Sequence, residues 1–284
     1  GINLSKQEGK KKMNKNERPL ITYLSEHLKD TKTVDQFYSS PSIVLSLFRC
    51  LHILSRQTII RCMKLKEIPA GIFGRAKKSN PDVVIDEIGI LEKYRILEKK
   101  AATEQNAVDK ESYAFKASYI TQLQNIFSYK YVSPFEETTL DIGMTKNELT
   151  LLSLEKWRKV HRLIVKRSST QDSGVEELLR RILECARMIE KGGQITSDGF
   201  QFILNSTDFQ INSFIRYYAM YLIEQKQRSP MKVLSILSGL NLCICENLMN
   251  KEKVFYAYKL DTNDIEQVAI VNDFAEFGLV WKKS

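Results

Sequence analysis

Ile195-Thr-Ser-Asp-Gly-Phe-Gln-Phe-Ile-Leu-Asn-Ser206 follows a Gly192-Gly193 pair and has the look of a ligand loop. A phosphate cradle presents successive backbone N–H groups, which takes a longer glycine-rich loop and usually a lysine, as in GxGxxG or GxxxxGK. Neither pattern occurs in the chain. His27, His52 and His161 are the next candidates, for acid–base work or metal ligation. They come with no HExxH, no GxSxG and no clustered Cys/His set, and each lies on a helical pattern with apolar neighbours. Cys50, Cys62, Cys185, Cys243 and Cys245 sit on apolar helical stretches and read as reduced thiols. Cys243 and Cys245, taken as two apart on one helix, point about 200° away from each other and do not share an ion. Carboxylate pairs such as Glu136-Glu137 and Glu176-Glu177 lie in charged stretches without an evident pocket to shift them. The expectation is no enzyme activity, no metal, no cofactor and no small-molecule ligand.

Cations offer a different chemistry. Lys156-Trp-Arg-Lys-Val-His-Arg-Leu-Ile-Val-Lys-Arg167 carries six of them around a packing stripe of Trp157, Val160 and Ile164. Arg158 and Arg162 share one helical face, and Lys159 and Lys166 share another. Lys156, Arg158, Lys159, Arg162, Lys166 and Arg167 are therefore the candidate interaction face, suited to an acidic partner or to nucleic acid. Of the net charge of +9, residues 1–18 hold six cations against two carboxylates, or +4, and residues 1 to 17 read as a disordered basic tail. No apolar run reaches the roughly 18 residues that a membrane span needs.

A repeat supplies the elements that position these residues. Leu91-Glu-Lys-Tyr-Arg-Ile-Leu-Glu-Lys99 aligns without gaps on Leu183-Glu-Cys-Ala-Arg-Met-Ile-Glu-Lys191, and Phe274-Ala-Glu-Phe-Gly-Leu-Val-Trp-Lys-Lys283 keeps the same rhythm. Each copy ends an amphipathic helix and turns into a short apolar strand, and two further helical patterns precede it. Helix, helix, helix and a two-stranded wing is the winged-helix plan. The predicted fold is mainly α, with three tandem winged-helix units and the third truncated in its wing. The units span 18–130, 153–206 and 207–284, with 131–152 as a linker.

In this frame Gly192-Gly193 is the tight turn of the second wing, and Thr196 or Ser197 caps the next helix. Gly199 lets the wing strand approach without a Cβ in the way. Phe200, Ile203 and Leu204 share a helical face. A DNA-reading wing would need a cationic third helix. Residues 81–95, 174–190 and 262–277 each carry four carboxylates, against two, three and no cations. Groove reading is therefore disfavoured, and DNA is expected at most indirectly or weakly.

Ser40-Pro-Ser-Ile-Val-Leu-Ser-Leu-Phe-Arg-Cys-Leu-His-Ile-Leu54, Gly199-Phe-Gln-Phe-Ile-Leu204 and Asp273-Phe-Ala-Glu-Phe-Gly-Leu-Val280 occur in the order of three signatures. Together they resemble the family of the fifty-two-kilodalton core subunit of the transcription and DNA-repair factor TFIIH, from about residue 18 onward. Phe48, Arg49, Gly199, Phe200, Phe202, Phe277 and Gly278 are its signature residues, expected to be structural. The resemblance implies a nuclear, non-catalytic scaffold that links the XPB translocase to von Willebrand-type subunits and supports XPB's ATPase. The work served is promoter opening and nucleotide excision repair. The family continues past the point matching Ser284 with a returning strand and further domains, so a fragment or a short form is expected. The alternative is a DNA-binding regulator using the Lys156–Arg167 helix and the tail.

Overall fold

A computed structural model describes residues 19–69, 72, 87–100, 112–130, 135–165, 174–243 and 254–282. The expected basic tail lies outside them, as do Lys166, Arg167 and Cys245. The fold is mainly helical with small antiparallel sheets. Four short helices open it: α1 (Pro19–His27), α2 (Thr31–Tyr38), α3 (Pro41–Cys50) and α4 (Ile53–Cys62). Their starts follow from local chemistry. The Asp30 carboxylate accepts from the Thr33 N–H, Pro41 sits in the first turn of α3, and His52 Nδ1 accepts from the Leu54 N–H. Next come β1 (Ile68–Pro69), α5 (Glu87–Lys93), β2 (Leu97–Lys100), β3 (Ser112–Phe115) and α6 (Ala117–Asn125). β1, β3 and β2 form one antiparallel sheet in that order.

The chain continues through β4 (Glu136–Asp141), α7 (Lys146–Val165), α8 (Gly174–Cys185), α9 (Ser197–Leu204) and α10 (Thr207–Met220). It closes with α11 (Pro230–Leu242), β5 (Val254–Lys259) and α12 (Ile265–Phe277). Cys243 lies just past the end of α11, so the two cysteines were wrongly expected on one helix.

The aligned copies stop their helices in the same way. Arg95, Arg187 and Gly278 occupy the same column of the repeat and take left-handed φ values of 55°, 58° and 78°. The next residue reaches back five positions: Ile96 N–H to Leu91 O, Met188 N–H to Leu183 O, and Leu279 N–H to Phe274 O, at 2.9, 2.8 and 2.9 Å. This is the six-to-one bond of a Schellman stop. It turns the apolar residues that follow back onto the core, where Ile96 and Met188 are buried. A left-handed backbone disfavours any residue with a Cβ. Replacing exposed Arg187 with glycine should therefore stabilise the chain by about 0.5 kcal/mol, after allowing for the freer unfolded chain. The expected rise in thermal midpoint is about 1–2 °C; a fall would mean that the arginine side chain contributes more than its backbone costs.

Two copies then return to the same place. The Lys116 N–H donates to Ile96 O at 2.8 Å and the Thr196 N–H to Met188 O at 3.1 Å. In the first copy the return is the β2–β3 ladder, with Leu97 opposite Phe115. In the second it contracts to the single bridge Ile189–Ile195 around Gly193, whose φ is 73°. In the third copy residues 278–280 form a turn and bends, and the expected strand is not seen among 278–282. The stretch expected as a linker, 131–152, holds β4 and the start of α7. β4 pairs antiparallel with β5 from Glu136–Lys259 to Asp141–Val254. No local period signals this ladder, because its strands are more than a hundred residues apart and β4 is largely polar.

The core runs across the repeat. α3 packs on α11 through small residues, with Ser40 Oγ 2.7 Å from Ser235 Oγ and Ser46 Oγ donating to Ser238 O at 3.1 Å. Buried Ser42, Ser46, Ser238 and Gly239 let these helices approach closely. α1 packs on α10, where Arg216 reaches Glu26 at 3.3 Å and lies over the Tyr23 ring.

Candidate interaction surface

α7 begins with a capping box. The Thr145 N–H donates to Glu148 Oε2 at 2.6 Å, and the Glu148 N–H donates to Thr145 Oγ1 at 3.3 Å. Thr145-Lys-Asn-Glu148 announces this start in the sequence, but the linker expected there began the helix at 153. Its inner face is Trp157, Val160 and Ile164, all buried. The Trp157 ring meets Phe214 edge-on at 5.3 Å, and Phe214 continues to Phe277 at 5.1 Å.

Gln210 locks this face. Its Oε1 accepts from Trp157 Nε1 at 3.4 Å and lies 2.7 Å from His161 Nε2, which therefore carries the proton. Its Nε2 donates to Ile203 O and Asn205 O, both at 3.0 Å, where α9 ends. One buried amide thus ties α7, α9 and α10 with every lone pair and proton used. His161 serves this packing; His52 caps α4, and His27 packs edge-on against Tyr23 at 4.8 Å.

The candidate cations divide. Lys156 is half-buried and its Nζ donates to Ala275 O at 2.7 Å, neutralising the carbonyl end of α12. It belongs to the helix packing. Arg158, Lys159 and Arg162 are exposed. Beside them are apolar side chains that the sequence reading passed over: Leu151 is 66% exposed, Val165 is 67% exposed, and Leu154 is also exposed.

The signature residues also divide. Phe48, Phe202 and Phe277 are buried, and Phe48 meets Phe127 edge-on at 5.6 Å. Gly199 and Gly278 are closely approached by backbone atoms. Arg49 is exposed. Phe200 is 55% exposed and Leu204 is exposed too, whereas Ile203, expected to share their face, is half-buried against the core. Burial of Phe202, two positions on, sets this phase. Thr196, as expected, caps α9, its Oγ1 accepting from the Gly199 N–H at 3.0 Å.

The would-be recognition helices are partly engaged with neighbours. Asp264, the cap of α12, lies 2.9 Å from Lys232, and Glu266 lies 4.0 Å from both Lys232 and Arg228. Farther along α12, Tyr218 O–H donates to Asp273 Oδ2 at 2.6 Å. Burial raises the Asp273 carboxyl above its usual range, and the Tyr218 hydrogen bond opposes the shift only in part. The folded state therefore holds this proton more tightly than the unfolded chain, and stability falls as pH rises from about 3.8 through the raised value. In Asp273→Asn, whose amide oxygen still accepts from Tyr218, that decline should flatten in thermal melts between about pH 4 and 7. An unchanged slope would remove Asp273 as its source. The Cys243 thiol is pushed up to about 12 by burial, with the Glu137 charge adding, so it stays protonated and unreactive.

Among the described residues no group of His, Cys, Asp or Glu is placed to hold a metal, and no helix is long and apolar enough to cross a membrane. Compared with known families, the chain matches the model described as transcription factor Tfb2 over residues 22–284. No curated protein matches it. The chain belongs to the Tfb2 family, nuclear structural subunits of TFIIH in transcription and DNA repair, and its partners are other TFIIH subunits.

Proposed function

We propose that the chain is a non-catalytic scaffold of the TFIIH core, built of three winged-helix units, that helps anchor the XPB translocase and stimulate its ATPase. The units are 18–130, 153–206 and 207–284; the stretch 131–152 between the first two holds β4, which pairs with β5 of the third unit, and the capping box of α7. Contacts to von Willebrand-type subunits complete the reading. The observation that carries it is the repeated stop and return. Three helices end in the same left-handed turn, and in two copies a strand comes back to the same residue, Ile96 or Met188. The net charge of those helices is acidic, which favours protein over the phosphate backbone.

The test is purification of the tagged chain from nuclear extract, probed for XPB and the von Willebrand-type subunits. Scaffolding predicts stoichiometric recovery of both, with weak DNA binding by the chain in fluorescence anisotropy. Nanomolar, steeply salt-dependent binding to duplex DNA without those subunits would favour the DNA-binding regulator instead.

A further inference from the structure

The outer face of α7 carries a second stripe whose side chains are exposed among the described residues. Leu151, Leu154, Arg158, Arg162 and Val165 follow one another at spacings of three, four, four and three. At 100° per residue they fall in a stripe roughly 80° wide and about 21 Å long. The seam buried within the chain, Trp157, Val160 and Ile164, is rotated from it by about 130°. All five side chains of the outer stripe are exposed.

Its chemistry is ordered along the helix. Leucines occupy one end, two guanidiniums the middle, and a valine the other end. Among the described residues neither Arg158 nor Arg162 has a carboxylate within 4.0 Å. Exposed Glu155, one turn before Arg158, is within 4.0 Å of neither guanidinium. Three large apolar side chains on one exposed stripe also do not suit phosphate, which they would contact without compensation. A protein helix suits both halves: leucine-like residues at its ends cover Leu151, Leu154 and Val165, and carboxylates at its centre pair with the forked guanidiniums.

We infer that the outer face of α7 docks an amphipathic helix of another TFIIH subunit, about four turns long, acidic at its centre and apolar at both ends. The inference rests on the scaffold reading above. Lys156 takes no part, being engaged with Ala275. The burial of Trp157 and the Gln210 lock hold α7 rigid, so the stripe is presented preformed and little ordering is lost on docking.

The experiment uses TFIIH assembled around the full chain, with the photo-crosslinking residue benzoylphenylalanine at Leu151 or at Val165. Mass spectrometry then identifies the joined peptide. Both positions should join to one segment of another subunit, at opposite ends of a helix with carboxylates between. R158E/R162E should lower the cross-link yield at least tenfold and R158K/R162K should retain most of it, while thermal melting of the isolated variants stays unchanged. Absence of a cross-link at both positions in assembled TFIIH overturns the inference. So does joining to DNA, to a second copy of this chain or to a segment without carboxylates, and so does an unchanged yield in R158E/R162E. A chain that fails to co-purify with TFIIH sinks the scaffold reading and this inference together. One that co-purifies but does not cross-link sinks the inference alone.

Discussion

Gly199→Ala should destabilise the chain by about 3 kcal/mol or more, at the upper end of overpacking effects. A Cβ at this position would overlap the Met188 carbonyl oxygen and stand 3.0 Å from its carbon and 3.2 Å from Ile195 Cγ1. The carbonyl has no freedom to yield. It accepts from the Thr196 N–H at 3.1 Å, and the Thr196 hydroxyl, which donates to Arg187 O at 2.7 Å, lies 3.1 Å from it, so moving it breaks the return of the turn and strains the cap of α9. A flexible side chain would swing away; a backbone oxygen held in the return does not. Denaturant unfolding measures the cost, and the thermal midpoint should fall by roughly 6–12 °C. Gly192→Ala is the matched control, since nothing lies within 4 Å of its Cβ position, and it should change stability by less than about 0.5 kcal/mol. Equal effects at the two positions would show that tolerance of the turn, and not close approach at Gly199, decides the outcome.

The part of this arrangement visible in the sequence is the local part. Helical spacing, the Pro41 and Pro230 starts, the Thr196 cap and the need for glycine at 199 all depend on residues within a turn or two of each other. The repeat was legible because side-chain rhythm survives where identity does not. It also aligned Arg95, Arg187 and Gly278, although an arginine gives no sign of a left-handed backbone. The β4–β5 ladder was not legible. Glu136-Glu-Thr-Thr-Leu-Asp141 lacks an apolar alternation, and its partner strand lies beyond α7 to α11. Nor was the division of the cations. Lys156 and Arg158 differ by two positions on one helix, which turns one toward the carbonyl end of α12 and the other to solvent. Only knowledge of the neighbouring helix separates them. The exposed leucines were missed for simpler reasons: Leu151 fell inside the expected linker of 131–152, and Leu154, on the helix expected from 153, belonged to neither the packing stripe nor the cation face.

Gly278→Ala should cost about 2–4 kcal/mol, and it carries two independent penalties. The backbone at φ 78° disfavours a Cβ by about 1–2 kcal/mol wherever it occurs. Here a Cβ would also stand 2.7 Å from Ser153 O and 2.9 Å from Lys156 Cβ, both on α7. Arginine in the same column at 95 and 187 shows that the backbone penalty alone is tolerated. The difference at 278 is the helix packed against it. Forcing α7 away lengthens the Lys156–Ala275 hydrogen bond and loosens Trp157 from Phe214. Trp157 emission in a Trp281→Phe background should therefore shift to the red before global unfolding. Lys156→Met separates the contributions, because it removes the Ala275 partner without adding a Cβ clash and should cost only about 1 kcal/mol. If Gly278→Ala costs no more than the backbone penalty and leaves Trp157 emission unmoved, α7 does not approach the end of α12 as closely as these distances require. The orientation of the Arg158–Arg162 stripe, fixed by that approach, would then have to be drawn again.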